Sequence, residues 1–490
     1  MGAISLPDSD TYLDKGDNLT ALGGEDVRTP LLPGGGLPSR CLEDQHRRRI
    51  RIRRFCHFAL LSTLLIFAVH LLSDTVRYQT SRILGIFMDD HDFPVPPGVS
   101  LEDCPAWDIG ENSHVGKVSF KFDLPAEELF ALARGPRSHG KIHIRQSDVV
   151  TDDVLVNVEV HTDTPAGFDH AKACLAKREG SDDTAGLGIF TDEWWNNHHH
   201  RHHHHVHFAV VLVLPKLKDD VLQVNKLTTD LPIFQHTIEE LADTVLFETL
   251  TLQTFNAGIY AKSIHAVHGT VGTSNAGIDG VFQADEALTL RTSNGRVAAT
   301  ASAPTVDVIT ANGVIEGEYN ASKDLALFTQ NAHIYATVAL ENDPAGPETK
   351  ARVHTANGQI RLATSLTSTE STGGAFALDT RTQNAGLTLE FLDSPLDAAL
   401  TLDAHTTLGK ADVRLHPTYE GAFDASTRLA RVQVRKGEED EGTGRGARDL
   451  EVRQNVGTHV EGAVGWSEEG KARGSATVVS SSIGAVELWV

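Results

Sequence analysis

Residues 194–208 read WWNNHHHRHHHHVHF, with histidine at eight of the ten positions from His198 to His207. Neutral imidazole ligates zinc, copper or nickel. With an ordinary pKa of about 6.5, it also charges in a mildly acidic compartment. The metal-ligand candidates are His198, His199, His200, His202, His203, His204, His205 and His207. A structural zinc site needs about four ligands held in place by partners on their outer nitrogens. A homopolymeric run offers interchangeable ligands and no fixed geometry. Charging neighbours also repel one another, which blurs any pH switch. The run, residues 194–207, therefore reads as a solvated low-complexity loop with adventitious metal affinity.

No other familiar reactive constellation emerges. The chain lacks Gly-x-Ser-x-Gly, a phosphate loop and His-Glu-x-x-His. Polysaccharide-cleaving sites on stacked strands need carboxylates or basic pairs clustered on adjacent turns of the chain. Asp279, Asp307 and Asp324 fall at different places in their repeats, and His268 beside Gly269 reads as a surface turn. The Gly-Gly-x-Gly-x-Asp repeat of calcium-binding β-rolls is absent. No catalytic residue and no cofactor is expected.

Asparagine is the residue that recurs at fixed spacing. TFNAGI, TSNAGI, TSNGRV, TANGVI, TQNAHI, TANGQI and TQNAGL place Asn256, Asn275, Asn294, Asn312, Asn331, Asn357 and Asn384 at intervals of 19, 19, 18, 19, 26 and 27 residues. Between these marks the chain alternates apolar and polar residues, as in LTLRT and LALFT. Each repeat reads as strand, loop, strand and a Thr-x-Asn-Gly corner, with Gly295 free to take a positive φ. A period near 19 residues predicts an all-β, single-stranded β-helix or β-solenoid. Rungs about 4.8 Å apart would carry the seven marks over roughly 29 Å. Stacked corners would pair the asparagines in a buried amide ladder. The extra residues in LENDPAGPETK and LTSTESTGGA fall between the two strands of a rung, so length variation is expected on one edge. The sequon Asn320-Ala-Ser322 lies in a short loop on that edge and makes Asn320 a glycosylation candidate.

These elements sit behind an anchor. FCHFALLSTLLIFAVHLL begins at Phe55, directly after RRRIRIRR at residues 47–54. The run is long enough to span a bilayer, and its arginine flank places the preceding tail in the cytosol. The predicted organisation has a disordered cytosolic tail at 1–54, a signal anchor at 55–73 and a juxtamembrane linker at 74–100. A β-rich part at 101–250 holds the His-rich loop. Solenoid repeats and further strands at 251–490 include a flexible loop at 436–449. Cys56 is a palmitoylation candidate. Cys104 and Cys174 lie in the oxidising compartment and are a candidate disulfide. Residues 1–54 hold eight acidic and nine basic residues, a net of +1, so the residues beyond them carry −24 against a total of −23. That surface repels phosphate, which argues against nucleic acid as a partner.

The Thr-x-Asn-Gly-x-Ile repeats resemble the adhesin-type β-solenoid family of microbial surface proteins. The whole layout is similar to uncharacterised fungal single-pass membrane proteins with such an ectodomain. The likeness is carried by LPIFQHTIEELADTVLFETLTLQTFNAGI, LHPTYEGAFDAST and SSSIGAVELWV. It implies a non-catalytic adhesion, glycan-binding or structural role, with a glycan or protein partner on the solenoid. The expected address is the plasma membrane or the early secretory pathway, C-terminus extracellular or lumenal. A carbohydrate-active enzyme on the same scaffold and a His-rich metal- or pH-responsive module are the alternatives. In sealed microsomes, added protease is expected to remove the arginine-flanked tail and spare residues 100–490; digestion of the β-rich part would reject this orientation.

Overall fold

The computed structural model describes residues 93–111, 113–181, 183–192, 205–437, 444–480 and 482–490. The 1–54 tail, the 55–73 run with Cys56, most of the 74–100 linker and residues 198–204 lie outside that set. Among the described residues no helix is long and apolar enough to cross a membrane. The architecture is all-β, with a long array of parallel strands compatible with a β-solenoid.

Period-two alternation sets each strand's two faces. In Ile315–Ala321, Ile315, Tyr319 and Ala321 are buried while Glu318 and Asn320 are exposed. Each strand pairs mainly with the strand two along the chain. Ile315–Ala321 lies parallel between Val297–Ser302 and Ile334–Asn342. The intervening Asp324–Phe328 lies parallel between Thr305–Ile309 and Thr349–His354. Each turn of chain, a rung, thus gives one strand to each of two parallel ladders. Pairing keeps Ile259, Ile278, Val297, Ile315, Ile334, Ile360 and Leu387 in one inward column, all buried. Burial of each such side chain contributes about 1.5–3 kcal/mol.

The parallel array does not begin at residue 251. Leu222–Asp230 pairs with both Val245–Gln253 and Glu128–Arg134, and Ile233–Glu240 pairs with Ile259–Gly272 and His139–Val150. The earlier rungs turn through GPRS at 135–138 and LP at 231–232, without the Thr-x-Asn-Gly mark. Rungs also leave chain order near both ends. Glu128–Val150 sits between the rung of Thr184–Thr191 with Val206–Lys216 and the rung of Leu222–Glu240. Gly474–Trp489 sits between the rungs of Ala399–Arg414 and Gly421–Arg435. Antiparallel strands then close the array. Val154–Thr162 and Val115–Phe122 follow Val206–Lys216, and His459–Gly465 and Asp449–Asn455 follow Gly421–Thr427. Such ends cover the last rung and limit edge-to-edge pairing with other chains. Cys104 and Cys174 form a disulfide with Cα atoms 4.2 Å apart.

Corners revise the sequence picture in three ways. Glycine is required by close approach, not by positive φ: a Cβ at Gly295 would lie 1.6 Å from the Ala276 carbonyl oxygen, and one at Gly313 equally close to the Gly295 oxygen. The asparagine column is exposed rather than buried. The buried polar group is the threonine. Thr310 Oγ1 accepts from its own Gly313 N–H at 3.0 Å and donates to the Gly295 carbonyl one rung back at 3.3 Å. Thr292, Thr355 and Thr406 repeat both bonds. Length variation also occurs on both edges. The insertions at 343–348 and 369–374 lie opposite the corners, but Thr191 and Val206, strand ends on the corner edge, are also separated by 14 residues of sequence.

Burial therefore ranks two substitutions. Thr310→Val strands a buried N–H and a buried carbonyl and is expected to cost about 1–3 kcal/mol, whereas Asn312→Ala, open to water, should cost no more than about 1 kcal/mol. Thermal unfolding of the two full-length variants tests this ranking, and an equal or larger loss for Asn312→Ala would contradict it.

Candidate functional site

Aligning rungs on the corner threonine shows which side chains the sheet presents outward. Residues one and three before each threonine are exposed or half-buried, except Ala326, which is buried. They run Thr289 and Arg291, Asp307 and Ile309, Ala326 and Phe328, Arg352 and His354, Asp379 and Arg381, then Asp403 and His405. Strand pairing sets Arg352 beside Asp379 and Asp379 beside Asp403 in one row, with His354, Arg381 and His405 in the next.

The charges bond along these rows. Arg381 Nε donates to Asp379 Oδ1 at 2.7 Å and Nη2 donates to Asp403 Oδ2 at 3.0 Å. His354 Nε2 lies 3.2 Å from Asp379 Oδ2, and His405 Nε2 lies 2.6 Å from Asp403 Oδ1. Arg352 Nη2 reaches both oxygens of Asp324 at 3.0 Å, and Arg291 Nη2 reaches Asp307 at 3.1 Å. Phe328 meets the His354 ring edge-on at 5.1 Å. Burial holds His354 below the usual imidazole range, outweighing the opposite pull of Asp379. Asp379 and Asp403 are adjacent carboxylates, the arrangement sought and not found at Asp279, Asp307 and Asp324. Arg381 lies between them, and both are open to solvent with side chains 29% and 37% exposed. Bridged by Arg381 on an open sheet, the two carboxylates offer directed acceptors to charged or hydroxylated groups. The signal was in the sequence: RVHT, LDTRT and LDAHT share the threonine frame.

The seven ladder asparagines form one column. Each Nδ2 donates to the Oδ1 of the preceding asparagine, from Asn275 to Asn256 through Asn384 to Asn357, at 2.6–2.7 Å. Asn320 is not in a loop: it is exposed near the end of strand Ile315–Ala321, between Ser302 and Ala339. Beside it runs a groove lined by Ser302, Pro304, Ser322, Glu341 and Thr367. Of the histidine run, only His205 and His207 are described. His205 is exposed before the strand, and His207 belongs to Val206–Lys216 rather than to the 194–207 loop.

Glu128 and Glu420 are among the buried charged groups of the end regions. Glu128, near one end, meets Arg178 and Lys226. At the other, Glu420 is 3% exposed; it accepts from the Trp466 N–H at 2.9 Å and pairs with Arg473. Arg473 and Arg445 both bind Asp397, at 2.9 Å and at 2.7 and 3.0 Å respectively. Gly470 leaves room for this carboxylate, since a Cβ there would lie 1.9 Å from Glu420 Oε1. These partners explain LHPTYEGAFDAST as a buried tie between end strands, because an unpaired buried charge is costly.

With the fold and this face described, the chain defines a class: a stack of parallel rungs with a charged, open outer face. No family model matches it, and no curated protein does. A candidate cell adhesion protein from Clostridium sporogenes aligns over 76% of this chain and 99% of its own, at 10% identity and a TM-score of 0.13. A candidate lipid binding protein from Parabacteroides distasonis aligns over 62% and 96%, at 11% identity and a TM-score of 0.20. Likenesses at those scores carry no argument here; the fold rests on the strand pairing.

One buried titratable group gives a pH test. His236 is fully buried; its Nδ1 donates to the Phe234 carbonyl at 3.0 Å, and its Nε2 accepts from the Thr229 hydroxyl at 2.9 Å. Burial lowers its pKa to about 4. The folded state therefore holds His236 neutral where the unfolded chain is already protonated. Its contribution is complete above the ordinary imidazole value and is lost as pH falls toward 4, by on the order of 2–3 kcal/mol. Urea unfolding at pH 7 and pH 4.5 should give a smaller acid loss for His236→Gln than for the natural chain. Equal losses would remove His236 as the cause.

Proposed function

We propose that this chain is a membrane-anchored, non-catalytic β-solenoid that binds extended glycan on the outer face of its stacked rungs, in an adhesive or structural role. One observation carries the reading: charged side chains on that face recur in register from strand to strand, Arg352, Asp379 and Asp403 in one row and His354, Arg381 and His405 in the next. An extended polymer repeats along its length, so a rigid face repeating about every 4.8 Å can engage several of its units at once. Arginine and carboxylate offer directed donors and acceptors to hydroxyl and acidic groups. The 55–73 run behind its arginine cluster would tether this face to a membrane, outside the cell or in the secretory lumen. Asn320 would then be open to glycosylation. The in-register Asp379 and Asp403 pair keeps a carbohydrate-active enzyme as the second reading.

A glycan array probed with the full-length chain in detergent separates the two. Binding without shortening of the polymer is expected, and R352S/R381S should weaken it by about tenfold or more, the equivalent of one lost charged contact. Shortened products would favour the enzyme. Binding unchanged in the double variant, with its circular dichroism intact, would reject this face.

A further inference from the structure

A second cluster lies where the antiparallel end meets the parallel array. Three neighbouring strands, Val154–Thr162, Val206–Lys216 and His139–Val150, each bring one histidine to the same outer patch. His161 pairs directly with His207, and His139 lies beside His207 because Gly140 pairs with Phe208. The ring centroids of His139 and His207 are 5.5 Å apart, and those of His161 and His207 are 6.4 Å apart. His161 is exposed; His139 and His207 are half-buried. None serves the core or the charged rows described above.

We propose that His139, His161 and His207 form a binding site for a borderline transition-metal ion such as Zn²⁺ or Cu²⁺. Two features beyond proximity favour a ligand site. His139 Nδ1 lies 3.0 Å from the Arg137 carbonyl. A carbonyl only accepts, so Nδ1 carries the proton and Nε2 keeps its lone pair. Metal-binding histidines are oriented in this way. Glu159 Oε2 stands 3.8 Å from His161 Nε2 and is itself engaged by Lys117 at 2.6 Å, so the patch includes a carboxylate but is not dominated by one.

As placed, no three donors among the described residues converge at metal-binding distance. Bringing three nitrogens to about 2.0–2.1 Å from one ion requires side-chain rotation on strands whose register is already fixed. A bound ion would join the antiparallel strand Val154–Thr162 to the first two parallel rungs. Its signature would be stabilisation of the fold, which weak binding to interchangeable ligands of the histidine run does not give.

The test uses the full-length chain and Zn²⁺ as the probe, comparing three proteins. One is natural. In the second, His198–His200 and His202–His205 become serine, leaving His207. The third is H139A/H161A, with the run intact. The run variant should keep one tight ion and its rise in melting temperature. H139A/H161A should bind that ion about tenfold more weakly or worse, since even loss of an orienting partner costs 10–100-fold, and should lose the rise. Cu²⁺ electron paramagnetic resonance of the run variant should show nitrogen couplings from three imidazoles. That measurement needs no substitution in the site. Loss of all binding in the run variant, or an unchanged rise in H139A/H161A, would overturn the site. So would fewer than three coupled nitrogens.

Discussion

A hydroxyl that accepts from its own rung and donates to the one before it is the interaction on which the repeated corners depend. A corner closes the chain between two ladders and leaves an N–H and a carbonyl that must find partners away from water. Threonine supplies one atom for both at the glycine corners of Thr292, Thr310, Thr355 and Thr406. At Thr273, Thr329 and Thr382, where alanine follows the asparagine, it still donates to the rung before. Past Asn384 the marks lose asparagine, with Leu408 and Leu429 at its place. The hydroxyl persists: Thr406 donates to Ala385, Thr427 to Gly484 and Ser480 to Gly409. The amide column is therefore an addition to a corner that works without it.

This distinction explains what could be read from the sequence. The period, the alternation and the position of the corners are local, and seven marks declared them. The earlier rungs were missed because Gly135 and Leu231 turn the chain by other means, and register cannot be read through an unmarked corner. Burial was assigned to the wrong member of the Thr-x-Asn-Gly unit. Both residues are polar and both repeat, and only the three-dimensional corner shows which points inward. The charged face went unseen because Asp279, Asp307 and Asp324 were compared by residue type, whereas Arg352, Asp379 and Asp403 share a place and differ in type. His139 and His161 lie 68 and 46 residues before His207. Only the pairing of three strands unites them.

Parallel stacking also governs the electrostatics. Copying an acidic residue into the next rung puts like charges side by side, so a chain with a net charge of −23 needs bases placed between its acids. Arg381 between Asp379 and Asp403 is one solution, and Lys410 between Asp412 and Glu487 is another. Glu239 shows the converse, one acid shared by two bases, Lys262 and His143. Exposed pairs of this kind contribute at most about 1 kcal/mol each. Their value lies more in fixing which rung faces which.

The out-of-order rung has a consequence for how the chain is completed. A ribosome or a translocation channel delivers the polypeptide in one direction, and strands stacked in chain order could join as they emerge. Ala399–Arg414 and Gly421–Arg435 cannot simply stack on each other, because Gly474–Trp489 lies between them. That face stays open for some sixty residues of synthesis. Gly474–Ser480 and Val486–Trp489 then enter like a late keystone, meeting neighbours on both sides at once. Until then the nascent protein carries a pair of unsatisfied strand edges, where a chaperone would be needed most.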